Sequence, residues 1–401
     1  MISTFAALKY RNYRLWFSGQ LVSLVGTWMQ STALGFLVFE LTKSPAQLGY
    51  VAFAAGLPSW LFMLYAGVIA DRIPRRTLLI VTQSFMALLA ALLSILTLSN
   101  LIEPWHIILL SFASGIPAAF DAPARQSFAV ELVEKEDLTN AIALNSMLFN
   151  SSMIIGPALG GIVYALWGPG WCFALNSLSF LFIIVNLILM NTRKESVERK
   201  GTSAIAEIME GFRYIYAEKL ILIIMIIIIF LTIFGMSFMT LIPAWVVKVL
   251  SGDSRTAGFL QSARGIGAVG VALFIATLGR FSYRGKLLSI GTIVLPLLLF
   301  LFAFIHSIPL SLIVMFFIGA ALILVMNLAN AIVQTLVDDH LRGRVMSVYT
   351  LTFFGFMPVG GLLVGFLAEH FGETETVMMC STVMLVVAIV IQLFAPKLRK
   401  Q

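Results

Sequence analysis

The sequence predicts an all-α membrane protein with twelve transmembrane helices in two six-helix parallel repeats. Three observations support this fold class. Of the 401 residues, 60% are hydrophobic and 11% are charged, whereas a soluble domain carries about 25% charged residues. Apolar stretches of roughly 20 residues, the length that crosses a bilayer, recur along the whole chain. Basic residues are concentrated in every second loop.

Twelve apolar stretches are long enough to span a bilayer as helices, which satisfy their own backbone hydrogen bonds in lipid. We predict them at 15–40, 46–70, 77–99, 105–128, 138–166, 171–191, 221–248, 256–279, 286–305, 309–334, 343–369 and 376–395. These spans leave no room for a soluble domain.

The distribution of basic residues predicts the orientation. With the N-terminus in the cytoplasm, 22 of the 26 Lys and Arg residues fall in cytoplasmic segments, Lys43, Lys248 and Arg255 fall outside, and Arg264 lies within a span. Cytoplasmic loops of membrane proteins carry this excess. We therefore expect an even number of spans with both termini in the cytoplasm. The net charge of +7 follows from the same rule, so it gives no indication of nucleic-acid binding.

The longest hydrophilic stretch, 192–219, predicts a linker between an N-terminal half, 1–191, and a C-terminal half, 220–401. Within the linker, Ile205, Ile208, Phe212 and Ile215 share one face of a helix. We predict an amphipathic helix lying on the cytoplasmic membrane surface, with a docking site for a soluble protein as the alternative.

The two halves contain related sequences. Pro157-Ala-Leu-Gly160-Gly161 in the first half is echoed by Pro358-Val-Gly360-Gly361 in the second, about half a chain later. Parallel repeats of six spans are one of the known architectures of membrane transporters. The echo therefore favours an internal repeat.

The loop between the second and third spans reads Gly67-Val-Ile-Ala-Asp71-Arg72-Ile-Pro74-Arg75-Arg76. Gly67 allows helices to approach closely, and Asp71 at the membrane edge needs a positive partner or a helix N-terminus. The segment strongly resembles the Gly-x-x-x-Asp-Arg-x-Gly-Arg-Arg loop motif of the major facilitator superfamily, with Pro74 in place of a glycine. A degenerate copy without the aspartate follows the eighth span at 279–286.

Two further motifs carry the same resemblance. The fifth span contains Gly156-Pro157-Ala-Leu-Gly160-Gly161, which resembles the core of the superfamily's antiporter motif, typical of exporters. Two earlier glycines of that pattern are replaced by Ala143 and Ser152. The sequences at 121–126 and 341–349 resemble the bacterial subgroup of enterobactin-type siderophore exporters and multidrug efflux proteins. The resemblance covers nearly the whole chain and implies the major facilitator fold.

The resemblance also implies a cytoplasmic charge network that stabilises the outward-facing state. We carry it onto Asp71, Arg75 and Asp121, with Arg72 and Arg76 as alternatives to Arg75. The predicted conformational latch comprises Gly67, Asp71, Arg72, Arg75, Arg76, Asp121 and Arg125, and the predicted antiporter motif comprises Gly156, Pro157, Gly160 and Gly161.

Polar side chains recur at helical spacing inside several spans. Such residues avoid lipid and face a bundle interior or a cavity, and in the resembled fold spans 1, 4, 5, 7, 8, 10 and 11 line the central cavity. Hydrogen bonds between helices, without substrate contact, are the alternative. The predicted substrate-binding residues are Thr27, Gln30, Asn145, Gln261, Arg264, Asn327 and Asn330.

Arg264 stands out among these residues because a guanidinium inside a span keeps its charge and needs a partner. No acidic residue of the sequence lies at a similar depth in the predicted spans. We therefore expect Arg264 to meet either backbone carbonyls or an anionic group of the substrate.

The sequence disfavours other classes of membrane protein. It contains no His-Glu-x-x-His, Gly-x-Ser-x-Gly or Gly-x-x-x-x-Gly-Lys motif, which predicts neither an enzyme nor an ATP-driven pump. We expect no metal and no cofactor, and we interpret Cys172 and Cys380 as packing residues. The repeat and the charged loop motif favour alternating access over a channel.

The implied function is a monomeric secondary active transporter in the bacterial inner membrane. We expect it to export a small amphiphilic molecule, drug or siderophore, driven by an ion gradient, with the proton as the coupling ion. An uptake symporter or a lipid or lysolipid flippase of the same fold is the alternative. Glu40 and Asp121 are the carboxylates near the membrane that could carry the proton.

Overall fold

The computed structural model describes residues 5–70, 73–191, 204–278, 283–395 and 398–399, and the described chain is helical without strands. Its helices are α1 (Arg11–Thr42), α2 (Pro45–Ala70), α3 (Arg75–Leu98), α4 (Pro104–Glu131), α5 (Leu138–Trp167), α6 (Pro169–Leu189), α7 (Ala204–Ala217), α8 (Lys219–Phe230), α9 (Ile242–Lys248), α10 (Ser254–Leu278), α11 (Arg284–Ala303), α12 (Ile308–Leu336), α13 (Arg342–Phe371) and α14 (Glu373–Phe394). Short 3-10 helices precede α1 at Ala6–Lys9 and α5 at Lys135–Asp137.

The predicted spans correspond to these helices. Among the described residues, eleven helical segments are long and apolar enough to cross a membrane. The remaining predicted span, 46–70, corresponds to α2, a 26-residue helix. The all-α membrane fold is therefore confirmed.

The seventh predicted span, 221–248, is interrupted rather than continuous. Between α8 and α9 the chain forms a π-helical turn at Leu231–Met236 and a 3-10 helix at Ser237–Leu241. The hydroxyls of Thr232 and Ser237 donate to carbonyl oxygens at 2.7 and 2.9 Å. A break in a spanning helix needs such internal partners for its backbone groups, and π-turns often lie at functional positions.

The chain folds as two compact units. Unit 1 comprises 1–41, 57–201 and 253–258, and unit 2 comprises 42–56, 202–252 and 259–401. The first part of α2 therefore belongs to unit 2, and the start of α10 belongs to unit 1. The boundaries predicted at 191 and 220 stay a prediction. The two exchanged segments, 42–56 and 253–258, could not be predicted from the sequence.

The core of unit 1 is built by large side chains from α1, α3, α4 and α6. Tyr13, Trp16, Leu79 and Ile183 are fully buried. The indole of Trp16 meets the Phe128 ring edge to face, with 5.2 Å between the ring centroids. Because lipid is as apolar as these residues, close packing rather than transfer from water holds such helices together.

The N-terminal segment of unit 1 is attached to the start of α5 by a charged contact. Lys9 Nζ lies 2.6 Å from Asp137 Oδ2, and the Tyr10 hydroxyl donates to the same oxygen at 2.8 Å. The hydrogen bond with the Asp137 carboxylate, followed by that with Tyr10, raises the pKa of the Lys9 ammonium. The ammonium therefore stays charged at neutral pH.

The same glycine turn occurs in both units. Gly168 ends α5 with φ +89° and Gly372 ends α13 with φ +92°, and the next helix begins at the following residue in both places. A positive φ of this size favours glycine, which has no Cβ. The helix pairs α5–α6 and α13–α14 hold equivalent positions in the predicted halves, so the turns support the parallel repeat.

In unit 2, α10 and α12 touch through their backbones. A Cβ added at Gly267 would lie 1.8 Å from the carbonyl oxygen of Phe316, and one added at Gly319 would lie 2.0 Å from the carbonyl oxygen of Arg264. Small residues allow membrane helices to approach this closely. The contact fixes the backbone of α10 at Arg264.

The predicted linker helix exists as α7, and it packs against the start of α13. Gly211 lies against the backbone of Arg344, which also pairs with Glu210. Ile215 is buried, but Phe212 is 46% exposed. Ile215 therefore packs against protein and Phe212 does not, while the side chains of Ile205 and Ile208 lie outside the described residues. The amphipathic face and its place on the membrane surface stay predictions.

Candidate functional site

The predicted antiporter motif forms a close-packed surface of α5. A Cβ added at Gly161 would lie 2.4 Å from the carbonyl oxygen of Ser254, and one added at Gly258 would lie 2.3 Å from that of Pro157. The Ser254 hydroxyl donates to the carbonyl of Gly161 at 3.1 Å. The motif therefore joins α5 to the exchanged segment 253–258 within unit 1.

The other two glycines of the motif face α1. A Cβ added at Gly156 would lie 2.4 Å from Cβ of Trp28, and one added at Gly160 would lie 2.8 Å from the carbonyl oxygen of Met29. The motif thus packs α5 against two partners at once. Each of these contacts excludes a side chain on α5.

The echoed sequence in the second half makes the equivalent surface in unit 2. A Cβ added at Gly56 would lie 2.0 Å from Cγ of Pro358, and one added at Gly49 would lie 2.9 Å from the carbonyl oxygen of Gly361. A Cβ added at Gly365 would lie 2.8 Å from the carbonyl oxygen of Pro45 at the start of α2. Both copies of the motif therefore bind an exchanged segment.

Glu369 closes the contact between α13 and α2. Its carboxylate accepts hydrogen bonds from the Ser44 hydroxyl at 2.7 Å and from the backbone N–H of Ala46 at 3.2 Å. Ala46 lies in the first turn of α2, where N–H groups have no partner within the helix and where negative charge is favourable. Glu369 was not predicted from the sequence, although the repeated glycine motif lies on the same helix, α13.

Glu369→Ala is expected to lower the stability of the protein by about 0.5–1 kcal/mol, because the first turn of α2 loses an exposed capping carboxylate. Thermal unfolding of the purified protein measures the effect. Glu375→Ala is the matched control, since Glu375 also lies in the first turn of a helix, α14, and is exposed, but it forms no hydrogen bond or ion pair among the described residues. The comparison therefore isolates the hydrogen bonds that Glu369 accepts. Equal unfolding temperatures for the two variants would contradict the capping role.

A second cluster of functional interest surrounds Asp121 in α4. Asp121 is 3% exposed, and its Oδ1 accepts hydrogen bonds from Thr82 Oγ1 at 3.0 Å and Gln83 Nε2 at 2.8 Å. Arg125 Nε lies 3.7 Å from Oδ2. The Ser23 hydroxyl donates to Gln83 Oε1 at 3.4 Å, so the network joins α1, α3 and α4 of unit 1.

The other arginines predicted for the conformational latch have different partners. Arg75 pairs with Glu131 at the end of α4. Arg76 donates to the carbonyls of Leu187 and Ile188 at 2.7 and 2.8 Å, near the C-terminus of α6, where cations are favourable. In this structure the Asp121 contact is therefore made by Arg125 and not by Arg75. The Asp71 and Arg72 residues and the surroundings of Gly67 lie outside the described residues.

Several predicted substrate-binding residues form hydrogen bonds with other protein groups. Gln30 Oε1 accepts from Asn176 Nδ2 at 2.8 Å, and Thr27 donates to the carbonyl of Ser23 at 2.8 Å. Asn330 accepts a hydrogen bond from Gln334. Such hydrogen bonds agree with the alternative interpretation, in which polar residues inside the bundle bond to other protein groups without contacting the substrate.

The remaining four predicted substrate-binding residues differ in how exposed they are. Asn145 and Gln261 are half-buried, and Asn327 is exposed. Arg264 is 8% exposed, and its Nε is buried without a hydrogen-bond partner. Within the described part of the chain, no ion pair forms with Arg264, and the hydrogen bonds of Thr27, Gln30 and Asn330 go to residues outside the predicted substrate set.

Glu40, the second carboxylate considered for proton coupling, is exposed at the end of α1. It accepts a hydrogen bond from the buried hydroxyl of Tyr164, whose ring packs edge to face against Phe36. Tyr164 was missed from the sequence, because a tyrosine in an apolar span gives no polar periodicity. The two carboxylates therefore differ, since Asp121 is buried within a network and Glu40 is exposed.

The helical membrane fold, the close-packed glycine surfaces and the buried charges define a transporter of the major facilitator superfamily. A model of one of its families, described as "transmembrane secretion effector", matches residues 2–401. The chain belongs to this family. Family and relatives are transporters, so the chain is a membrane transporter of small molecules and not an enzyme.

Two relatives cover nearly the whole chain. The staphyloferrin A transporter of Staphylococcus aureus is 25% identical over 90% of this chain and 91% of its own length. The multidrug efflux pump Tap of Mycolicibacterium fortuitum is 25% identical over 94% of this chain and 93% of its own length. Both names agree with the resemblance to siderophore exporters and efflux proteins.

A solved structure shares the fold. The crystal structure of the nucleoside transporter NupG superposes with a TM-score of 0.75 and 13% sequence identity, covering 95% of this chain and 98% of that chain. At this level of identity the likeness shows the fold alone.

Proposed function

We propose that the chain exports a small amphiphilic molecule, drug or siderophore by alternating access, in exchange for protons. In this proposal it acts as a monomer in the bacterial inner membrane with both termini in the cytoplasm. Relatives named for siderophore transport and multidrug efflux support the substrate range. The antiporter-type sequence at 156–161, close-packed against α1 and the start of α10, supports the direction.

The observation that carries the substrate proposal is the unpaired, buried Arg264. Placing an arginine within a span costs about 2.5–3.5 kcal/mol on insertion scales. No acid among the described residues offsets this cost, and its Nε has no hydrogen-bond acceptor. A carboxylate or another anionic group on the substrate would supply both charge and acceptors. We therefore place an anionic group on the preferred substrate.

In the alternative functions Arg264 also binds an anionic group, but the direction of transport or the transported molecule differs. An uptake symporter would bind the anionic substrate from outside, and a lysolipid flippase would present a phosphate to the same guanidinium. The pairing of Arg264 with an anion suits all three activities. The direction of movement and the identity of the transported compound distinguish them.

The test is transport by inside-out and right-side-out membrane vesicles under an imposed pH gradient. The panel contains cationic and anionic amphiphiles, siderophores and lysolipids. We expect inside-out vesicles with an acidic lumen to accumulate anionic compounds, and a protonophore to abolish the accumulation. Vesicles from cells without the protein are the control. Accumulation by right-side-out vesicles alone would establish uptake, and movement of lysolipids alone would establish lipid transport.

A further inference from the structure

The linker helix α7 carries a stripe of exposed apolar and aromatic side chains. Met209, Phe212 and Tyr216 are 58%, 46% and 80% exposed, and their spacing of three and then four residues places them on one side of the helix. Arg213 is exposed on the same side, since it follows Met209 by four residues. An apolar stripe with a cation beside it therefore faces away from the rest of unit 2.

A different side of α7 is attached to protein. Gly211 lies against the backbone of Arg344, and Ile215, four residues later, is buried. Because each residue turns a helix by about 100°, this docked side and the exposed stripe lie roughly a third of a turn apart. The third side carries Glu210, which pairs with Arg344, and Ala217, which is exposed. The helix therefore has a protein-facing side, an apolar side and a side that suits water.

The attachments of α7 place the stripe at the level of the membrane surface. Glu218 separates α7 from the candidate span Lys219–Lys248, and the helix on which α7 packs, α13, forms the candidate span Arg342–Phe371. Gly211 meets α13 at its first turn. Since both attachments are at the starts of spans, α7 runs between the ends of two spans and does not project away from them.

We propose that α7 lies in the membrane surface, with the stripe of Met209, Phe212 and Tyr216 among the lipid headgroups and the upper acyl chains. A helix binds a membrane in this way when one face is apolar and basic residues accompany it. The ring of Tyr216 has the apolar body and polar tip that favour this region. Arg213 reaches phosphate groups of anionic lipids, which attract basic residues at the surface. Phe212 and Ile215 then belong to different sides, lipid-facing and protein-facing, and not to the single face that the sequence predicts.

A lipid surface suits the stripe better than a soluble protein does. The stripe is one row of three side chains, whereas a specific protein interface buries about 800 Å² on each partner. Lipid requires no matching shape, so a short row is sufficient when the helix is already held by α13. The contact fixes the start of unit 2 in the membrane, whichever compound the protein transports.

The test places the photoreactive amino acid p-benzoylphenylalanine at position 216 of the full-length protein in intact bacterial cells. Illumination should join this residue to phospholipid, which is detected as a phospholipid-sized increase in the mass of the purified protein. Position 217 is the matched control, because Ala217 is exposed but points about 100° away from Tyr216. We expect severalfold less lipid adduct there. Equal lipid adducts at the two positions, or a protein adduct in place of lipid at 216, would overturn the proposal.

Position 209 replaces position 216 if that variant does not fold, since Met209 lies on the same stripe and is also exposed. The expected adduct and the contradicting results are the same, again with position 217 as the control. Neither side chain takes part in the attachment to α13, which is made around Gly211 and Ile215.

The role of Arg213 is tested with lipids of different charge. In nanodiscs of equal parts phosphatidylglycerol and phosphatidylcholine, most of the adduct at position 216 should contain phosphatidylglycerol. Arg213→Gln should move the two lipids towards equal shares, whereas Arg255→Gln, which removes an exposed arginine of α10, should leave the shares unchanged. Unchanged shares in Arg213→Gln would overturn the role of Arg213. Because no transported compound is used, these results stand even if the vesicle experiment shows uptake instead of export.

Discussion

Gly267→Ala is expected to destabilise the folded protein, whereas Gly270→Ala, on the next turn of the same helix, is not. The added methyl group at 267 would lie 1.8 Å from the carbonyl oxygen of Phe316, but nothing lies within 4 Å of one added at 270. A backbone carbonyl cannot change rotamer, so α10 and α12 would have to separate. Forcing atoms into a well-packed contact of this kind costs about 1–3 kcal/mol.

The two variants make a matched pair because they add the same methyl group to the same helix. Alanine at an unhindered helical position stabilises a helix by up to about 1 kcal/mol relative to glycine. We therefore expect the unfolding temperature of Gly270→Ala to equal or exceed that of the wild type, and that of Gly267→Ala to fall by several degrees. Equal unfolding temperatures for the pair would show that α10 and α12 do not touch at this point.

Arg264→Ala is expected to weaken binding of anionic compounds at least about tenfold, which corresponds to about 1.4 kcal/mol and to the loss of one hydrogen bond to a charged group. The same substitution should leave the unfolding temperature unchanged or raise it, because it removes a buried charge that has no partner. Binding and stability would then change in opposite directions. A residue with only a structural role would lose stability when it is removed.

The measurement is the affinity of purified protein for the compounds that move in the vesicle experiment, with thermal unfolding of the same samples. Arg255→Ala is the matched control, since it removes a guanidinium from an exposed position of α10, 4.0 Å from Asp253. We expect wild-type affinity for that variant. Arg264→Lys should bind with intermediate affinity, because a fork of donors becomes a point charge. Wild-type affinity combined with a lower unfolding temperature in Arg264→Ala would assign Arg264 to packing alone.

Much of the fold could be predicted from the sequence, because lipid imposes a simple rule on it. Each span needs a long apolar run, and the observed helices follow those runs within a few residues. The interruption at Leu231–Met236 could not be predicted, since a few hydroxyls in a largely apolar stretch, such as those of Thr232 and Ser237, do not distinguish a break from a continuous helix.

The candidate sites were predictable to a lesser extent. Arg264 could be singled out from the sequence because a charge inside a span is rare, and its burial agrees with that reading. Partner choice could not be predicted, because the neighbouring residues Arg75 and Arg76 at the start of α3 reach different helices, α4 and α6. Arg75 binds Glu131, while Asp121 is left to Arg125. Glu369 and Ser44 were missed for a related reason, since 325 positions of chain separate them.

The two glycine surfaces affect how freely the rest of the molecule can vary. At Gly161 and Gly49 the nearest atoms of the neighbouring helix belong to its backbone, and every residue type has the same backbone atoms. Glycines also face them from the neighbouring helix, at Gly258 and Gly365, so the fit requires the absence of side chains at the contact positions of both helices and depends on no particular side-chain chemistry. Positions elsewhere on these helices can change to suit a new substrate without altering how the helices meet. A fold assembled in this way can serve as a common framework for transporters of unlike cargo.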